Sequence, residues 1–419
     1  MADHEAEAGS EPEERRLTTR EAAERLGVKP ETVYAYVSRG QLTSRRAPGG
    51  RGSTFDPAEV DALARRSRRE AAPGGDGPPV GSGITLIEED RHYYRGVDST
   101  ALAEHHSYEE VAEWLWTGRM RPGVRFTAHP ETLAAARRAA GALPAHTGLM
   151  DRLRVAAIAA AAADPLRFDL AESTVVATAR DLIATLTDTL PVRGAQEPPD
   201  APVARRLWTR LTDRPPGTGW LRVLDSALVL LIDHDLAVST VAARVAASAQ
   251  AHPYAVVSAG LGALDGPLHG GASGFAHRML LDAMERGGAA VVASHLRADR
   301  RVPGLGHRLY PREDPRASAL LRLLEEVPEA APALQAAREV VETMARHVPL
   351  YANVDLALAV VSVSAGMPQE AGETVFAVSR TAGWIAHALE EYGERPLRMR
   401  PTGRYHGPRP PQPLPLPLP

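Results

Sequence analysis

From Ile84 onward, apolar residues recur at three- and four-residue intervals through Ala/Leu-rich segments. That spacing predicts helices over 131–142, 150–163, 171–186, 222–232, 237–249, 317–326 and 331–346, separated by Pro, Gly and Asp stops. Runs of alternating β-branched residues are few, so the body of the chain is expected to be mainly α. Between 190 and 218 the pattern loosens (PVRGAQEPPDAPVARRLW…DRPPGTG) and reads as a connection or insertion. The uncharged stretch 245–264 is broken by Gln250, His252 and Pro253 and is rich in Ala, Ser and Gly, which suits helices packed against protein, and no membrane segment is expected. The chain shows no internal repeat.

The first 70 residues follow another rhythm. LTTREAAERLG predicts a helix capped by Thr18 or Thr19, carrying Ala22, Ala23 and Leu26 on one face and stopping at Gly27. VKPETVYAYVSRGQL restarts with Pro30 in the first turn, and Val33, Val37 and Leu42 are spaced to face the first helix. A glycine-rich basic loop follows (43–52) between strand-like residues, then Phe55 and another capped helix. This order resembles the excisionase and multidrug-regulator type of winged helix-turn-helix, whose second helix lies in a DNA major groove. The resemblance implies phosphate contacts for Arg45, Arg46 and Arg51 in the wing and places Thr32, Tyr34 and Arg39 near the groove. The other reading is a small helical adapter whose arginines are solvated.

Charge divides the chain the same way. Residues 1–14 hold six acids and no base, 15–69 carry a net +7, and 70–419 a net −5, within a total of −4. The expected organisation is an acidic tail (1–16), a winged helix-turn-helix domain (17–69), a flexible Gly/Pro linker (70–83), a helical body (84–407) and a polyproline-like tail (408–419). Length, 419 residues, fits two or three domains. No cysteine is present, which excludes disulfides, thiolate catalysis and cysteine-ligated metal. With an acidic start lacking an apolar core, the chain is expected to carry no signal or transit peptide and to be cytoplasmic. Lys29 is the single lysine among 48 basic residues, so any one arginine is weak evidence for function.

Four segments of the body set a histidine, aspartate or arginine beside residues that break or start helices: 232–240, 264–273, 301–317 and 351–360, with further arginines over 378–407. His269 precedes Gly270-Gly271 at a helix start; it is either a cap bonded to backbone or a neutral donor to a ligand. His307 follows the glycine-bearing loop Pro303-Gly304-Leu305-Gly306, whose backbone N–H groups are open to a ligand. Asp355 stands before an apolar helix and is either its cap or a reactive carboxylate. No HExxH occurs, and Asp233-His234-Asp235 sends neighbouring side chains in different directions, so no metal is expected.

Taken together, GPLHGGA, VPGLGHRLYPREDPRA and NVDLALAVV, with DHDLAVST, YYRGVDSTALAEHHSYEEVAEWLWTGRM and WIAH, resemble the active-site signature of the citrate synthases. The resemblance implies a fold of large and small helical domains, the small one roughly over 280–373. It also implies condensation of acetyl-CoA with oxaloacetate and hydrolysis of the thioester, with no cofactor. Asp355 would be the base, His269 the donor to the thioester carbonyl and His307 the donor to the ketone. His234, Arg316 and Arg380 would bind oxaloacetate, and Arg400 would reach in from the partner subunit of an obligatory homodimer or higher assembly; surface arginine is the other reading of Arg380 and Arg400. Ser273 replaces an asparagine usual after HGGA, and either the acyl-CoA pocket changes or the exchange is neutral. Propionyl-CoA, giving 2-methylcitrate, is a second acyl donor to consider. A functional rival is a DNA-binding regulator that uses the same fold to sense oxaloacetate or acyl-CoA; such a sensor has no need of Asp355.

Overall fold

The computed structural model describes residues 16–26, 28, 30–38, 42–46, 53–61, 63, 80–401 and 405–412. Gly27, Arg39 and Arg51, most of the expected acidic tail and linker, and residues 413–419 lie outside the described residues. Two compact units divide the chain: Met1–Val80 with Pro401–Pro419, and Gly81–Arg400.

In the first unit, β1 (Leu17–Thr18), β2 (Ser44–Arg46) and β3 (Ser53–Phe55) form an antiparallel sheet in the order β1-β3-β2, beside α1 (Thr19–Leu26) and α2 (Pro30–Ser38). Thr18 opens α1 in a reciprocal cap: its backbone N–H donates to Glu21 Oε2 at 2.8 Å, and the Glu21 N–H donates to Thr18 Oγ1 at 3.3 Å. Ala22, Ala23, Val33, Leu42, Phe55, Val60 and Leu63 are the buried core, with Leu26 and Val37 packed against it. Small alanines on α1 let α2 approach, and Phe55 closes the sheet over both.

The second unit begins with β4 (Thr85–Glu88), β5 (Arg91–Tyr94) and β6 (Val97–Asp98), an antiparallel sheet in that order. The helical pattern does not anticipate this sheet. Its first turn is Glu89-Asp90, both at positive φ (51° and 59°), where a glycine or asparagine would have announced a hairpin. Fifteen helices follow: α3 (Ser99–His105), α4 (Tyr108–Thr117), α5 (Pro130–Gly141), α6 (Leu149–Ala163), α7 (Glu172–Thr189), α8 (Val203–Leu211), α9 (Thr218–Leu231), α10 (Val238–Ser248), α11 (Pro253–Leu264), α12 (Ala272–Arg286), α13 (Gly288–Arg297), α14 (Pro315–Glu325), α15 (Ala331–Ala345), α16 (Val354–Ser364) and α17 (Ala371–Tyr392). The unit is mainly α, as the periodicity implies.

The region 190–218 is not the loose connection its composition suggests, because α8 lies within it and is buried. Arg206 there is buried and donates to Asp188 Oδ2 at 2.6 Å and to the Phe126 carbonyl at 2.6 Å. The structure pairs this arginine inside the fold.

α17 is the axle of the unit. Residues 371–388 of this helix are buried except for the half-buried Glu373, and the helix packs against α4, α7, α9, α10 and α11. Gly383 makes the tightest approach, since a Cβ there would collide with the Ile232 carbonyl just past α9. That closeness brings Arg380, one turn earlier, against the end of α9 and the turn that carries His234. Among the described residues, no helix is long and apolar enough to cross a membrane.

Candidate active site

α16 opens with Asn353, not Asp355: the Asn353 side chain caps the helix by accepting from the Asp355 N–H at 3.0 Å. The cap reading of Asp355 is thereby excluded. Its carboxylate, in the first turn, has no hydrogen-bond partner among the described residues, and burial pushes its pKa up to about 6, with Arg316 nearby holding it down and Asp314 raising it. The segment before α16 is zipped to the loop that carries His307. The Gly306 N–H donates to Tyr351 O (2.8 Å), the Asn353 N–H to Gly304 O (2.9 Å), and Asn353 Nδ2 to Gly306 O (3.0 Å). Gly304 has φ +81°, and a Cβ there would sit 2.8 Å from Leu356 Cβ, so only glycine lets the loop lie this close.

Each of the three predicted histidines has one ring nitrogen held and the other left over. His307 Nδ1 accepts from the Leu309 N–H at 3.1 Å, which leaves Nε2 as the donor. His269 Nε2 lies 2.8 Å from Ser239 Oγ, and His234 Nε2 lies 2.9 Å from the Tyr310 hydroxyl. With each hydroxyl donating, both rings keep a proton on Nδ1 for a ligand. Burial and arginine charge drive His269 and His307 each to about 4, and lower His234 well below the usual value, so all three are neutral donors. His269 sits in the turn before α12, not within it; its ring meets Phe376 of α17 edge-on at 5.7 Å. The His234 and His307 rings are 5.0 Å apart, and Tyr310 stands 4.9 Å from His307.

Two buried arginines face this group. Asp314 accepts from Arg316 Nε (2.9 Å) and Nη2 (2.8 Å) and also from the Val354 N–H (3.1 Å), tying α14 to the start of α16. Burial opposes the Arg316 charge, and the Asp314 carboxylate more than restores it, raising the guanidinium above its usual value. Arg380 is 0% exposed, and its Nε donates to Leu231 O at 2.8 Å. Its Nη1 and Nη2 are buried with no partner, and burial pulls its pKa down to about 10. The surface reading of Arg380 is wrong. Arg316 acts electrostatically on Asp355, His307 and His234, and Arg380 on His269 and His234. Asp355, His234, His269, His307, Arg316 and Arg380 therefore gather around one space. A cavity of about 60 Å³ beside His307 is lined also by Tyr310, Asp314 and Tyr351.

Arg400 is not in this cluster; it is exposed, and its side chain makes no hydrogen bond or ion pair among the described residues. Ser273 is buried, donates to Gly270 O at 3.2 Å, and packs against Gly372 of α17, so it braces the turn that carries His269. Sequence reasoning missed Ser239, Tyr310 and Asp314 as supports, though all three lie inside the quoted motifs, and Asp-Pro at 314–315 is itself a helix-start signal. It also missed the buried chain in which Asp233 accepts from Thr85 (2.6 Å) and meets His387 (3.2 Å), and Arg244 joins His387 (2.7 Å) to Glu390 (2.8 Å). Among the described residues, no trio of His, Cys, Asp or Glu is placed to hold a metal ion. In the first unit, Arg45 and Arg46 are exposed on β2, Thr32 is half-buried, and Tyr34 is exposed with its hydroxyl 3.4 Å from Thr19 Oγ1.

Comparison with known families matches residues 78–402 to the citrate synthase C-terminal domain and residues 16–68 to a helix-turn-helix domain. A citrate synthase of Haloferax volcanii is 33% identical over 338 residues, 75% of this chain and 89% of that protein. A 2-methylcitrate synthase of Mycobacterium tuberculosis is 29% identical over 336 residues, covering 75% and 84% respectively. In fold, the chain is similar to a citrate synthase from Thermoplasma acidophilum solved with carboxymethyl coenzyme A and oxaloacetate. That likeness has a TM-score of 0.68 and 24% identity, over 81% of this chain and 97% of that one.

Proposed function

This chain belongs to the citrate synthase family of acyl-transferring enzymes, and from that premise we propose that its buried cluster condenses acetyl-CoA with oxaloacetate and releases citrate and CoA. One observation carries the assignment: a guanidinium, Arg380, wholly buried with both terminal nitrogens unpartnered, beside neutral imidazoles and an unbonded carboxylate. Burying such a cation is costly unless an anion joins it.

The residues divide the work as follows. Arg316 and Arg380 hold the two carboxylates of oxaloacetate, with His234 donating to a carboxylate oxygen, and Arg400 of the partner subunit completes the clasp in a homodimer. Asp355 removes a methyl proton from acetyl-CoA, and His269 donates Nδ1–H to the thioester oxygen as it becomes an enolate. A preorganised donor of this kind contributes about 2.7–4 kcal/mol. The enolate carbon attacks the ketone carbon, and His307 gives its Nε2 proton to the oxygen that becomes the citrate hydroxyl. Water then cleaves the thioester, and CoA leaves as the thiol. Propionyl-CoA is a second acyl donor to assay, since one more methylene shifts selectivity by only about 1–3 kcal/mol. The first unit supplies DNA contact through Arg45 and Arg46, with Thr32 and Tyr34 near the bases, in a cytoplasmic setting.

The test is release of free thiol by the purified full-length chain given oxaloacetate and acetyl-CoA. Turnover supports the enzyme; oxaloacetate binding with no thiol release would make it the sensor of the rival reading.

A further inference from the structure

A fourth histidine is wired like the three above, and no motif points to it. His92 lies on β5, opposite Ile87 of β4, and is 1% exposed. Its Nδ1 is 2.9 Å from Ser99 Oγ, the first residue of α3, and its Nε2 is buried with no partner. The ring stands edge-on to Tyr94 at 4.8 Å and tilted toward His234 at 5.5 Å, so His92, His234 and His307 form a row. Arg316 and Arg380 both act on it electrostatically, as do Asp233 and Asp314. Burial and the arginine charges keep the ring neutral, with a pKa of about 3. With the Ser99 hydroxyl donating to Nδ1, the ring proton belongs on Nε2, the nitrogen turned away from Ser99.

A buried N–H without an acceptor costs roughly 1–3 kcal/mol, so such groups mark places where something else binds. The unpartnered donors of this interior include Arg380 Nη1 and Nη2 and His92 Nε2, and all three lie beside His234. Their shared need is a small anion with several acceptor oxygens.

Resting on the proposed reaction, we propose that His92 is a further substrate-binding residue: its Nε2–H donates to a carboxylate oxygen of the 2-oxo dicarboxylate held by Arg316 and Arg380. It makes no bond to the acyl-CoA. Its part is to fix the dicarboxylate from the β-sheet side, opposite the loop that carries His307.

Two substitutions separate this from a structural role. His92→Asn puts an amide oxygen where Nδ1 stood, which still accepts from the Ser99 hydroxyl, and deletes the outer donor. His92→Gln puts its amide nitrogen where Nε2 stood and gives up Ser99. Oxaloacetate binding to the full-length chain is measured by calorimetry, alongside KM for both substrates. The expectation is a roughly ten- to hundredfold loss of oxaloacetate affinity in His92→Asn, in line with a lost hydrogen bond to a charged group, and a loss of only a few-fold in His92→Gln. The KM for acetyl-CoA stays unchanged in both. Equal affinity of His92→Asn and wild type, or a greater loss in His92→Gln, overturns the inference and makes His92 a support for Ser99, while wild-type thiol release leaves the enzyme reading intact. Wild-type chain that binds no oxaloacetate overturns both.

Discussion

Asp355 shows what burial does to a carboxylate denied company. Asn353 takes the capping duty, and no donor reaches its carboxylate, so burial raises its pKa from 3.8 to about 6. The sign of the consequence is fixed. As the proposed base, Asp355 works only when ionised, so kcat/KM falls about tenfold per pH unit below about 6, whereas His269 and His307, at about 4, stay neutral through that range. A pH profile whose acid limb lies near 4 instead would assign the base elsewhere. Asp355→Asn lowers kcat by at least about a hundredfold and leaves oxaloacetate binding within a few-fold of wild type, as calorimetry would read. The same substitution raises thermal stability at neutral pH. Below 3.8 the acid is neutral folded or unfolded; as pH rises to about 6 the unfolded chain ionises more readily, so stability is lost across that window and stays lost above it.

Between elements, the joint that matters is Asp314, whose carboxylate serves Arg316 on α14 and the Val354 N–H of α16 together. Asp314→Asn leaves a buried guanidinium unpaired and costs about 3–5 kcal/mol in denaturant unfolding; combining it with Arg316→Met recovers part of that loss. A single-substitution cost below about 1 kcal/mol would contradict the joint. This scale also shows how far the sequence can be read. Helix periods and stops gave the helical body, because 3.6-residue burial leaves its mark on every turn. The motifs gave Asp355, His234, His269, His307, Arg316 and Arg380, which the structure brings together from five separate segments. The hairpin of β4 and β5 was hidden because Glu89-Asp90 takes left-handed backbone without a glycine, and with it went His92. Helix α8 was hidden because buried arginines are written like solvated ones; only the position of Asp188 shows which Arg206 is.

At the scale of the whole molecule, basic charge is concentrated in one stretch of the first unit. The +7 stretch at 15–69 belongs to the helix-turn-helix region, and Arg45 and Arg46 stand exposed on its β2 strand. Each phosphate contact adds about 0.9 to the salt slope of DNA affinity, so Arg45→Ala with Arg46→Ala reduces that slope by nearly 2. Binding assays at several salt concentrations read it directly, and an unchanged slope would place the wing away from DNA. Within the catalytic unit, the two arginines are not equivalent. Arg316 already has Asp314, while Arg380 is wholly buried with two idle nitrogens. An anion that reaches Arg380 therefore meets a need the chain itself leaves open, whereas one at Arg316 must share that guanidinium with Asp314. What the folded chain asks of a guest is thus written as a vacancy at Arg380, a shortage of partners and not a wall.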